Sequence, residues 1–432
     1  MLLKALPLTF VLAGLALYTT LAGADFGAGF WQLFAGRGER ANQIRAHAHR
    51  SMGPVWEANH VWLIFVLTVF WTSYPRAFGS IASTLPVPLF IAALGIILRG
   101  AAYALRAGAS GPRESGVIDT IFSVSSVLTP FALGAAIGAI ATGRVPVGNA
   151  SGHLFSSWLN PTSIFVGAVA VANCAYLAAV YLAADAARLG ERPLEQAFRR
   201  RALGAGVVAG AAALGGIVVV NSDYHRLFHA LLTGDALAAV VVSFLAGVTT
   251  LALVWRRRFD AARFGAAVAV ASIIAGWALA RWPTILPGLT INNGASGHDT
   301  LVWIVVAVAV GAGFTFPSLG LLFGLTLTGR FEGDERPAFG GIARRATFGP
   351  RWATRAAVSC FIAGIGLLTF ADAAWAHAIG VVCLLGFVLA AFSAIVPAAL
   401  AGQAENVRAD ASGRFFPSRF RHPGGEGSSG LR

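Results

Sequence analysis

Two carboxylates stand in stretches of sequence otherwise suited to lipid: Asp25 in LAGADFGAGFW and Glu57 in GPVWEANHVWLIFV. An ionisable group inside a spanning helix is costly unless it faces protein, a partner charge or a water path, so each marks a functional position by default. The chemistry open to them is the handling of protons or ions within a membrane. Arg99, in the apolar run ILRG at 97–100, is a third such group, and His60 a fourth, close to Glu57. A neighbouring arginine and desolvation pull a carboxyl in opposite directions, and their balance decides whether it exchanges protons near neutral pH.

The elements that must position these groups are membrane helices. The chain has 432 residues, 56% of them apolar and only 12% charged, with a mean hydropathy of +0.70, whereas soluble domains carry about a quarter charged residues. A helix needs about 20 mostly apolar residues to cross the hydrocarbon core. That criterion predicts spans at 7–31, 54–74, 78–105, 117–142, 163–185, 202–221, 236–255, 264–281 and 300–327. Two further apolar runs, 356–372 and 376–400, predict an added helical hairpin. The expected fold is all-α, a polytopic membrane helix bundle of nine spans plus the C-terminal hairpin. Its domains are 1–330, an inner loop with the hairpin at 331–402, and an arginine-rich, disordered tail at 403–432 that lies on anionic lipid. The first apolar run is too long for a signal peptide and is read as a retained helix.

The net charge of +13 does not point to nucleic acid, because the arginines cluster between apolar runs without a basic groove or interleaved aromatics. They are topology signals instead. Loops after spans one, three, five, seven and nine hold 21 Lys and Arg, against five on the other side, which predicts a cytoplasmic arginine-rich side and an N-terminus outside. Asp25, Glu57 and Arg99 then all lie within roughly 10 Å of the cytoplasmic boundary, at 1.5 Å per residue. Trp56, Asn59, His60 and Leu63 share one stripe of the second helix beside Glu57, and a polar stripe on an apolar helix faces protein. Cys174, Cys360 and Cys383 have no metal-ligand spacing. His225 and His229, four apart in DYHRLFHALL, lack an acid or cysteine cluster and read as interfacial rather than metal-binding. Asp372 reads as a solvated turn residue.

GADFGAGF, then the loop leading into SMGPVWEANHVWLIF, then ILRG, resembles the opening of subunit II of the cytochrome bd-type quinol oxidases. Weaker echoes follow in LNP at 159–161 and in WPTILPGLTINNGASGHDTL at 282–301, and the likeness runs through about residue 330. It implies one subunit of a bacterial cytoplasmic-membrane quinol:dioxygen oxidoreductase, a terminal respiratory oxidase that reduces O2 to water and generates proton-motive force. Haem b, haem d and the quinol site would belong to a partner, the haem-bearing subunit I. Carried onto this chain, the resemblance makes Asp25, Glu57, Arg99 and His60 candidates for a proton pathway. Trp56, Asn59 and Trp62 become candidates for oxygen access or subunit packing. Three departures stand out: Ala22 replaces an earlier aspartate of the helix-one turn, Glu57 replaces the usual aspartate, and His60 occupies a position often filled by a neutral polar residue. No axial haem ligand set is evident here. Membrane lipid is a partner in any case, and a bundle of this kind permits a structural quinone or lipid.

Two other classes share these features. A secondary transporter would have similar carboxylates and Gly/Pro-interrupted helices such as TLPVPLF, but should repeat an acid in its second half, and helices six to eight are nearly free of charge. A purely structural partner of a haem subunit would carry the same motifs.

Overall fold

The computed structural model describes residues 2–106, 112–327, 351–371 and parts of 373–390. For 52–58, 106, 112–114, 322–327, 351, 354 and 368–370 it describes the backbone alone. Asp372 and the tail from 403 onward lie outside the described residues. Two compact units divide the chain, Met1–Gly333 and Asp334–Arg432.

In the first unit the chain runs through α1 (Leu2–Leu33), α2 (Glu39–Ser73), α3 (Pro75–Thr84), α4 (Pro86–Arg106), α5 (Pro112–Ala141), α6 (Pro161–Arg188) and α7 (Arg192–Asp223). It continues through α8 (His225–Leu231), α9 (Gly234–Trp255), α10 (Phe259–Arg281), a small hairpin of β1 (Thr284–Leu286) and β2 (Leu289–Thr290), α11 (Ile291–Gly294) and α12 (His298–Leu327). Among the described residues eight helices are long and apolar enough to cross a membrane, and a ninth counts if Asn59–Ser73 and Pro75–Thr84, bent by 118°, form one span. The polytopic helical bundle is therefore as expected.

Two boundaries differ from expectation. The apolar run predicted as a span from 78 is divided at Leu85, with Pro75 and Pro86 each opening a helix, where a missing N–H costs nothing. The arginine-rich stretch predicted as the loop after span one is helical from Glu39 onward, because Ala41, Ile44 and Ala48 recur at helical spacing and are buried. LNP is a helix start: Asn160 Oδ1 accepts from the Ser163 amide at 2.9 Å, with Pro161 in the first turn of α6.

α6 is the axis of the bundle, with Leu177, Ala178, Ala179, Val180, Leu182 and Ala183 fully buried. Lipid offers no hydrophobic drive between helices, so packing relies on small residues that let backbones approach. A Cβ on Gly27 of α1 would collide with the Cys174 carbonyl of α6, and one on Gly134 of α5 would meet Ala170 and Gly167.

Polar clamps close both ends of this unit. At one end Arg144 donates twice to Asp223 at 2.8 Å and once to Asn160 at 3.0 Å, and Thr162 donates to Asp223 at 2.5 Å. The Asp223 carboxylate holds the Arg144 guanidinium above its ordinary pKa. At the other, arginine-rich end, Asp185 takes Arg188 and Arg263, Arg199 donates to the Val254 and Trp255 carbonyls, and Arg257 pairs with Glu195 at 3.2 Å.

In the second unit α13 (Arg351–Phe370) is followed by helical residues at 379–387, and Gly364 lies against Leu384 and the Gly380 carbonyl.

Adding a methyl group at the α1–α6 contact tests this packing. Gly27→Ala should lower stability by about 1–3 kcal/mol, the usual cost of overpacking. Gly210→Ala on α7, where a Cβ meets nothing, should stay within about 1 kcal/mol of the parent. Thermal denaturation of the purified assembly in detergent reads both.

Candidate functional site

Arg99 of α4 is fully buried and points at α1. One guanidinium nitrogen donates to Asp25 Oδ1 at 2.5 Å and to the Asp25 backbone carbonyl at 2.9 Å, and the other donates to Ser126 Oγ on α5. Ser126 in turn donates to the Phe122 carbonyl at 2.5 Å. The guanidinium lies over two rings, Phe122 at 4.2 Å and Phe26 at 5.0 Å from their centroids. A buried pair recovers its desolvation cost only with close geometry and further hydrogen bonds, and the two rings add cation–π attraction.

Glycines on α1 and α4 make this geometry possible. A Cβ on Gly29 would strike Ser126, and a Cβ on Gly95 would strike the Thr129 hydroxyl. α1, α4 and α5 thus converge closely enough for one arginine to reach all three. Asp25 Oδ2 has no hydrogen-bond partner among the described residues.

The structure joins Asp25 and Arg99, as their common depth predicted. His60 is half-buried on α2, one residue beyond Asn59. Asn59 is fully buried, and neither of its amide atoms finds a partner among the described residues. Trp62 packs beside the buried cluster of Tyr18, Ala22, Phe26 and Cys174 and lies 6.4 Å from the Phe316 ring of α12. The side chains of Trp56 and Glu57 lie outside the described ones, on a stretch of α2 whose backbone is helical.

Other buried polar groups were missed from sequence. His47 is fully buried in the first half of α2, with Nε2 3.1 Å from the Leu182 carbonyl and Nδ1 3.8 Å from Glu191. Its signal was the Ile44 and Ala48 spacing beside it, hidden by the arginines. Tyr18 and Gln32 on α1 are also buried. His225 and His229 hydrogen-bond each other at 2.9 Å, and Asn221 bonds His225 at 2.8 Å. Among the described residues no three His, Cys, Asp or Glu side chains converge to hold a metal.

An apolar cavity of about 440 Å³ is lined by α1 to α5, α10 and the β hairpin, including Leu8, Val11, Val66, Phe70, Trp277 and Arg281. Among the described residues no His, Cys or Met lines it. Its apolar lining suits an apolar chain.

Apolar helices packed through small residues around a buried carboxylate–guanidinium pair define an integral membrane protein that keeps charge within its interior. Residues 3–326 match the cytochrome bd terminal oxidase subunit II family, and the chain belongs to that family. It is 27% identical over 157 residues to cytochrome bd ubiquinol oxidase subunit 2 of Bacillus subtilis strain 168, covering 36% of this chain and 45% of that protein. It is 26% identical over 167 residues to cytochrome bd-I ubiquinol oxidase subunit 2 of Escherichia coli strain K12, covering 37% and 43%. These alignments span less than half of the curated relatives' length. A solved structure of bd oxidase from Geobacillus thermodenitrificans superposes with a TM-score of 0.62 at 26% identity, covering 76% of this chain and 99% of that one. Nothing in these likenesses supports a secondary transporter.

The ion pair yields a stability prediction. Arg99→Met alone leaves the Asp25 carboxylate buried without its partner and should cost about 3–5 kcal/mol. The double variant Arg99→Met with Asp25→Leu removes both charges and should lose less than the single. Unfolding midpoints of the purified assembly decide, and a double variant weaker than either single would refute the account.

Proposed function

We propose that this chain is the subunit of a terminal quinol oxidase that binds no haem itself, supports its haem-bearing partner, and admits protons to it. Reduction of one O2 to two waters consumes four electrons and four protons, with the electrons drawn from two quinols. The electron chemistry belongs to haems b and d, which would be held by subunit I, and the quinol would be oxidised there. Family membership and the likeness to a solved bd oxidase support this reading.

The observation that carries the proton role is the Asp25–Arg99 pair. Arg99 fixes one carboxylate oxygen of Asp25, and the other is left to exchange a proton with water. A carboxyl so anchored keeps its position while its protonation changes, as a relay group requires. His60 and Glu57 would extend the route on α2. Asn59, Trp56 and Trp62 would line oxygen access or the subunit contact. The apolar cavity would take the tail of a structural quinone or a lipid.

The proposed location is the bacterial cytoplasmic membrane, with the arginine-rich end facing the cytoplasm and the N-terminus outside. The support is the distribution of arginine, since positive loops remain inside. Protons would then enter at the end of the bundle where α1 finishes and α2 begins.

A tag on this chain in its native membranes tests the whole reading. Mild purification should bring a second membrane subunit and haem b and d bands in the reduced-minus-oxidised spectrum. A colourless chain from membranes that contain those haems would overturn it. Glu57→Gln and Asp25→Asn should each lower oxygen-reducing turnover by at least about tenfold, the scale of a lost proton-transfer group, with haem content unchanged. Full turnover in both would move these acids to a structural role.

A further inference from the structure

Tyr18, Asp25 and Gln32 stand at seven-residue intervals along α1. Seven residues is nearly two helical turns, so the three share one face, drifting about 20° per step. At 1.5 Å per residue the file from Tyr18 to Gln32 is about 21 Å long, much of the roughly 30 Å hydrocarbon thickness. All three are buried, at 4%, 1% and 3% exposure. Each presents polar atoms without a hydrogen-bond partner among the described residues: the Tyr18 hydroxyl, Asp25 Oδ2 and both amide atoms of Gln32.

Neighbouring helices add to the same file. Gly29, between Asp25 and Gln32, abuts Ser126 of α5. The buried hydroxyl of Thr129, one turn further along α5, also lacks a partner among the described residues, as does the Asn59 amide of α2. Tyr18 packs in the same buried cluster as Phe26, whose ring lies against Arg99. Buried polar atoms in folded proteins are almost always hydrogen-bonded, by ordered water where protein does not serve. A run of such atoms at helical spacing, with a carboxylate in the middle, is the lining of a water file rather than of a dry contact.

We propose that Tyr18, Asp25 and Gln32 line one file of ordered water, which starts beside Gln32 at the arginine-rich end, meets Asp25 at Oδ2 and continues to the Tyr18 hydroxyl. Gln32 and Tyr18 are its positioning residues. The Gln32 amide both donates and accepts, so it orients water without trapping a proton. The Tyr18 hydroxyl accepts from one water and donates to the next, and so passes the chain beyond Asp25 toward the middle of the membrane. This rests on the reading of Asp25 as a proton relay.

The test uses the assembled oxidase, with haem content read from the reduced-minus-oxidised spectrum and proton uptake followed with a pH-indicator dye during single-turnover oxidation by O2. Gln32→Leu and Tyr18→Phe should each slow uptake by about tenfold or more at unchanged haem content, and Gln32→Asn should restore part of the loss. A merely structural amide predicts the reverse, because Leu at an unpartnered buried position stabilises the chain and leaves uptake alone. Wild-type uptake in both variants overturns the file. Slowing in Gln32→Leu alone overturns its extension to Tyr18, and if Gln32→Leu fails to assemble, Tyr18→Phe decides. Asp25→Asn, measured alongside, separates the two claims: loss of uptake there with no effect at Gln32 and Tyr18 sinks the file and leaves the relay standing. No effect in any of the three sinks both.

Discussion

A guanidinium buried among membrane helices must be surrounded by groups that replace its water, and this requirement at Arg99 organises three helices. Its five N–H donors and planar faces cannot be satisfied by one partner. Asp25 of α1 supplies a carboxylate and a backbone carbonyl, Ser126 of α5 a hydroxyl, and Phe26 and Phe122 supply π-faces. These partners reach the arginine only if the helix axes come close, which is why Gly29 and Gly95 stand where any side chain would strike α5. A residue that is costly alone thereby fixes the position of the carboxylate beside it.

The same logic of close approach holds the rest of the bundle together. α6 presents alanines to its neighbours and receives Gly27 from α1 and Gly134 from α5, so van der Waals contact does the work that hydrophobic exclusion cannot do in lipid. The ends, where water returns, are closed by ion pairs instead: Arg144 with Asp223 at one, Asp185 with Arg263 at the other. Contacts along α6 are small and apolar, and terminal contacts are charged and hydrogen-bonded.

The bundle, and a depth at which Asp25 and Arg99 could meet, were legible in the sequence because both rest on one-dimensional signals. Apolar runs of sufficient length announce spanning helices, and Asp25 and Arg99 lay at a shared depth once the arginine asymmetry had set the direction of each helix. The first half of α2 was hidden by the same signal, since arginines that mark a loop also occupy the wet face of a helix whose other face buries Ala41, Ile44 and His47. The break at Leu85 was obscured because an apolar run records hydropathy and not direction. Tyr18 and Gln32 were passed over for another reason: neither is charged, and a neutral polar residue in an apolar helix stands out only when its partners, or their absence, are known.

Ala22 sharpens the electrostatics of the site. The family pattern places a second acid one turn from Asp25, whereas here that position is a buried alanine packed with Tyr18, Phe26 and Cys174. Asp25 is thus the sole acid of α1, matched one to one by Arg99, and the pair carries no net charge when the carboxylate is ionised. A second carboxylate would have left an excess negative charge that draws a proton and holds it. On the proposed route, with one acid pinned by one arginine, onward transfer of a proton would depend on the neutral polar groups around the pair. In that route the polar burden would pass from a second acid to hydroxyls and amides, whose hydrogen bonds turn over without a change of charge.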